Sequence, residues 1–126
     1  MSERPAGRAN AAVLVGLDFG DDGYAESLEE LRLLVESAGL APAALIQGKR
    51  QRPDPALYAG SGKAEEIAAA VQEHKAVVVV FNHELSPAQQ RNLEQKLDCP
   101  VLDRTGLILG IFARRARSNE GKLQVE

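Results

Sequence analysis

Cysteine is almost missing from this chain: Cys99 is the only one in 126 residues, so no internal disulfide can form and no oxidising compartment is implied. Tryptophan is absent and aromatic residues make up 4%, which disfavours a surface of stacked rings for single-stranded nucleic acid. No apolar run reaches the roughly 18 residues a membrane-spanning helix needs. Residues 1–8 have no apolar centre and do not form a secretory signal. With two histidines and one cysteine, the chain is poor in the nitrogen and sulfur ligands that zinc prefers. The cytoplasm is the expected compartment.

What is present fits one modest domain with a real core. Apolar residues form 44% and charged residues 26%, as in ordinary soluble proteins. The net charge of −3 is unevenly spread. Residues 47–63 carry four basic and one acidic side chain, and residues 104–126 carry five and two. Two basic islands in an acidic domain point to a directed surface.

Residues 1–10 read as a disordered tail. Residues 12–17 form a continuous apolar run, as in a strand buried on both faces. Asp21 and Asp22 are placed to cap a helix whose apolar face is Leu28, Leu31, Val35 and Ala38, with Gly39 to close it. Residues 43–46 read as a second strand, which leads into the basic loop of Lys49, Arg50 and Arg52, with Pro53 and Pro55 withholding backbone donors. Residues 57–59 read as a short extended piece. A helix follows, with Ile67 and Val71 inward, to about His74. Residues 77–81 are the clearest strand. Ser86, Pro87 and Gln89 are a strong helix start with a possible capping box. Residues 100–102 form a fourth strand, and a long helix begins near Thr105. The order β-α-β-α-β-α-β-α predicts an α/β three-layer domain: a mostly parallel four-stranded sheet with helices on both faces. The domain is expected over residues 11–104, with the terminal helix over 105–126.

Gly60-Ser61-Gly62-Lys63 invites a phosphate-binding reading, because glycines ahead of a helix let backbone N–H groups approach an anion. A full phosphate loop also needs a glycine where Leu57 stands and a hydroxyl where Ala64 stands. Gly60, Gly62 and Lys63 are therefore only weak nucleotide candidates, and a strand-to-helix turn with Lys63 exposed is the plainer account. Asp18, Asp21 and Asp22 occupy the place of a receiver domain's acids, but the partners such a site requires are missing, so helix capping fits better. His83 and Glu84 are adjacent and do not converge with Cys99, and His74 reads as a surface residue. No catalytic set and no metal site emerge. Basic residues remain: Lys49, Arg50, Arg52 and Lys63 on loops expected at the carboxyl edge of the sheet, and Arg114, Arg115 and Arg117 on the last helix. With Tyr58 the only aromatic residue near the loop cations in sequence, phosphate contact to a structured RNA suits them better than base stacking.

Three stretches resemble the HflX family of ribosome-associated GTPases. Tyr58-Ala59-Gly60-Ser61-Gly62-Lys63-Ala64-Glu65-Glu66-Ile67 is similar to its glycine-lysine turn. Phe81-Asn82-His83-Glu84-Leu85-Ser86-Pro87-Ala88-Gln89-Gln90-Arg91-Asn92-Leu93-Glu94 is similar to its helix start. Asp103-Arg104-Thr105-Gly106-Leu107-Ile108-Leu109, continued by Glu120-Gly121-Lys122-Leu123-Gln124-Val125-Glu126, is the most specific match. Gly110 departs from the pattern, where a larger polar residue is expected; in a helix it costs up to ~1 kcal/mol.

The resemblance implies an N-terminal domain followed by a helical linker and a GTPase domain, with GTP and Mg²⁺ bound downstream and no cofactor held by this stretch. It implies large-subunit and ribosomal RNA binding, and ribosome splitting or rescue under stress. A monomer is expected. Two alternatives stand beside ribosome docking: an ATP-binding role for residues 60–63, and restraint of the chain's own GTPase domain. Leu107, Ile108, Ile111 and Phe112 are expected to pack on the sheet. Leu123 and Val125 are expected to begin the linker, and the arginines of the last helix to serve either RNA or an interdomain seam.

Overall fold

The computed structural model describes residues 10–125, with side chains through residue 116. Four strands and four helices alternate: β1 (Ala11–Asp18), α1 (Tyr24–Ser37), β2 (Ala41–Lys49), α2 (Ser61–His74), β3 (Val78–Phe81), α3 (Pro87–Leu97), β4 (Val101–Leu102) and α4 (Arg104–Val125). All strand pairs are parallel, in the order β2-β1-β3-β4. The three-layer α/β expectation holds. Asn10, the last residue of the expected tail, belongs to the fold, its carbonyl accepting from the backbone N–H of Ala41 at 2.8 Å; residues 1–9 lie outside the described residues.

Alternation along each strand divides the apolar residues between two cores. Val13, Val15, Leu17, Val79 and Phe81 face α2 and α3, where Ile67, Leu93 and Leu97 cover them. Ala12, Leu14, Val78 and Val80 face α1 and α4, beneath Leu31, Val35, Leu107 and Ile111. Gly16 allows α1 to lie close: a Cβ there would come within 2.2 Å of Leu28 Cδ2.

The helix ends follow local chemistry, with one exception. Ser86 Oγ accepts from Gln89 N, and the Gln89 side chain answers on Ser86 N, completing the capping box. Gly39, at φ +84°, follows α1 as expected. Asp21 and Asp22 do not cap α1. Its N-cap is the left-handed Gly23 with no side-chain bond, and Asp18 instead turns back on Gly20 N at 2.8 Å. A left-handed residue at this point redirects the chain, leaving the acids in an exposed loop.

The root of α4 joins the two most recognisable sequence stretches. Asp103 accepts from Gly106 N in the first turn and from Leu85 N across the loop. Arg104 reaches the buried Asn82 at 2.6 Å and Glu30 at 2.7 Å. Leu107 and Ile111 are buried as expected, but Phe112 is 61% exposed and Leu109 62%. Phe112 lies on the outer side of α4, about 140° around the helix from Leu107 at 100° per residue, so it cannot pack on the sheet. No helix among the described residues is long and apolar enough to cross a membrane.

Candidate nucleic-acid interface

In a parallel sheet every strand exit opens at one edge, and ligands gather there. Asp18, Lys49 and Phe81 end their strands at this edge. Asp18 and Lys49 are register partners, and the β2–α2 loop leaves beside the β1–α1 loop.

Arg50 shapes that loop. Its backbone N–H donates to Asp18 O, its Nε to Arg52 O and its Nη1 to Ala59 O, each at 3.1 Å. Asp54 and Tyr58 exchange backbone bonds of 2.8 and 3.0 Å, and Asp54 Oδ2 accepts from Ala56 and Leu57. Residues 57–59 therefore form a tight turn with Tyr58 at φ +61°, not the extended piece expected. From α3, Gln89 donates to Asp54 O and Asn92 to Ala56 O. A Pro-containing loop that sequence patterning leaves irregular is held from both sides.

This bracing divides the cations. Lys49 and Arg52 are exposed, whereas Arg50 is half-buried in its loop contacts. Lys63 is not a free lysine: its Nζ donates to Gln47 O and pairs with Glu66, both at 2.9 Å, and its side chain is 25% exposed. Lys49, Arg50, Gly60, Ser61 and Lys63 do converge, around an open cleft of about 440 Å³ that also touches Asp54. Gly60 holds φ +90° and ψ 160°, and Ser61 and Gly62 already belong to α2.

The second basic island lies elsewhere. Arg114 donates to Ala38 O and Arg115 to Ser37 Oγ, at the C-terminus of α1. There Arg114 meets an orphan carbonyl, and both guanidinium groups lie at the negative end of the helix dipole. Because α1 runs back against the strands, that end sits at the amino edge of the sheet, away from residues 49–52. The Arg117 side chain lies outside the described residues.

Sequence patterning sets His83 aside as a turn residue and does not reach Phe19, yet both stand at this edge. His83 Nε2 accepts from Leu17 N at 2.9 Å, so the ring is neutral, and burial pushes its pKa down. Phe19 sits edge-on to His83 at 5.4 Å and to Tyr58 at 6.0 Å. The available signal was position: Phe19 directly follows β1 at the ligand-binding edge. Among the described residues, no three His, Cys, Asp or Glu side chains come together as a metal site would need.

The family described as GTP-binding GTPase N-terminal matches residues 25–113. GTPase HflX of Escherichia coli (strain K12) is 56% identical over 115 residues, covering 91% of this chain and 27% of that protein. The chain belongs to the HflX family. A second HflX relative, from Magnetococcus marinus, is 50% identical over 105 residues, covering 83% of this chain and 24% of its own. This chain thus spans about a quarter of the curated HflX proteins it matches. A crystal structure described as an SsGBP and GDP complex superposes with a TM-score of 0.64 at 27% identity, over 91% of this chain and 32% of that one.

Proposed function

We propose that this HflX domain is a docking module for ribosomal RNA of the large subunit. Lys49 and Arg52 meet backbone phosphates, and the domain itself performs no chemistry. GTP and its Mg²⁺ are held by a GTPase domain downstream of residues 11–104, in a protein that splits or rescues ribosomes under stress. Helix α4 carries the nucleotide state to the docked domain as a change of orientation, which its Asp103 and Arg104 root makes rigid. The protein acts as a monomer in the cytoplasm.

The observation that carries this reading is a pair of exposed cations, Lys49 at the end of β2 and Arg52 on the braced loop that follows it. A loop already ordered by Arg50, Asp54, Gln89 and Asn92 loses little further entropy on binding. Arg114 and Arg115 rank lower, because they already serve the end of α1. A nucleotide site at residues 60–63 has less support, since Gln47 O and Glu66 hold Lys63 Nζ.

Binding to purified large subunits across a salt titration tests the proposal. The double variant Lys49→Gln/Arg52→Gln is expected to bind more weakly and to flatten the log–log salt slope by roughly one to two, since each lost phosphate contact removes about 0.7–0.9 of a released counterion. An unchanged slope contradicts it.

A further inference from the structure

Next to the cationic loop is a second cleft, of about 420 Å³, between the β1–α1 and β2–α2 loops. Asp18, Phe19, Gly20, Lys49, Arg50 and Gln51 line it. Its volume lies within the range of small-molecule sites. The lining combines three chemistries: an aromatic ring, the cations Lys49 and Arg50, and a carboxylate and an amide as polar partners. Asp18 Oδ1 already accepts from Gly20 N, while a carboxylate offers about four acceptor positions in all. Phe19 is half-buried, and its perpendicular contacts with Tyr58 and His83 fix its ring plane. Tyr58, the aromatic residue nearest the basic loop in sequence, is 7% exposed and cannot offer a face.

We infer that this cleft receives one unpaired nucleotide of the docked RNA. The base stacks on Phe19 and donates its amino or imino hydrogens to Asp18, while Lys49 and Arg52 hold the flanking phosphates. This rests on the RNA-docking reading and deepens it, because it specifies a bulged or looped nucleotide in place of uniform duplex. An apolar ring walled by cations suits a flat π-system carrying an anionic tail. A duplex buries its base faces in the stack and can offer only its phosphates.

The test uses the 126-residue chain and two RNA hairpins of the same stem. One carries a single bulged 2-aminopurine nucleotide and the other is fully paired. The chain is expected to bind the bulged hairpin roughly ten- to a hundredfold tighter and to quench its fluorescence, the range that one stacked base contributes. Phe19→Leu keeps an apolar side chain without a stacking face, and it should bring the ratio of the two affinities close to one, as should Phe19→Ala. Phe19→Trp should preserve the preference. Lys49→Gln should weaken both hairpins alike.

A preference that survives in both Phe19→Leu and Phe19→Ala overturns the inference. So does equal binding of the two hairpins by the unaltered chain, although the docking reading then stands if Lys49→Gln still lowers affinity. Binding of neither hairpin overturns the inference, and the salt titration with purified large subunits then decides the docking reading separately. Free 2-aminopurine riboside monophosphate bound as tightly as the bulged hairpin assigns the cleft to a soluble nucleotide and rejects an RNA occupant.

Discussion

Replacing Arg104 with alanine is expected to destabilise the domain by about 2–3 kcal/mol, because it removes a charge-assisted bond and leaves a buried polar atom without its partner. Arg104 Nη1 donates to Asn82 Oδ1 at 2.6 Å, with longer contacts to Ser27 O and Oγ. Asn82 is 7% exposed, so water cannot replace the lost donor at full strength. The Glu30 contact contributes less, since Glu30 is 65% exposed at its side chain. At about 4–8 °C of melting temperature per kcal/mol for a domain of this size, the drop is on the order of 10–20 °C. Arg104→Lys should recover only part of it, because a single ammonium cannot span both Asn82 and Glu30. A melting temperature within about 3 °C of the unaltered chain would mean that α4 is rooted by its apolar contacts alone.

The second large effect is at Gly60. Gly60→Ala is expected to cost about 2–4 kcal/mol, combining backbone strain of roughly 1–3 kcal/mol with a weakened loop bond. At φ +90° and ψ 160° the backbone lies in a region that only glycine enters readily. A Cβ there would stand 2.6 Å from Arg50 Nη1, the atom that braces Ala59 O. Gly62 is the contrast. It lies inside α2 with open space where a Cβ would go, so Gly62→Ala should be neutral or stabilising by up to ~1 kcal/mol. Urea denaturation of both variants separates the roles. Equal losses at the two glycines would remove the conformational account of the Gly60-Ser61-Gly62-Lys63 turn.

Strand and helix order was legible because β-branched and apolar runs alternate with helical spacing, and because Ser86, Pro87 and Gln89 write a capping box into the chain. The cleft at the carboxyl edge was legible only in outline. Lys49, Arg50, Gly60 and Lys63 were all visible as candidates, and the structure brings them together. Their division of labour was hidden, because it depends on partners far along the chain. Gln89 and Asn92 reach back from α3 to Asp54 and Ala56, and Lys63 is taken up by a carbonyl in β2. Phe19 looked remote from the basic loop, being some thirty residues before Lys49, until β1 and β2 paired. Phe112 departs from the sequence expectation because four apolar residues at 107, 108, 111 and 112 imitate one helical face. Leu107 and Ile111, 40° apart around the helix, are buried, Ile108 is half-buried, and Phe112 at the far edge of the arc is exposed.

Directed cleavage offers the most direct trial of RNA docking. Cys99 is buried and is the chain's one cysteine, so a tethered iron chelate can be placed at a single introduced thiol on a Cys99→Ala background. With Arg52→Cys carrying the chelate, hydroxyl radicals should cut large-subunit ribosomal RNA at a small set of neighbouring nucleotides. With Leu33→Cys, on the outer face of α1 and 52% exposed, cutting at those nucleotides should be absent. Cleavage from position 33 and none from position 52 would contradict docking through the residue 49–52 edge.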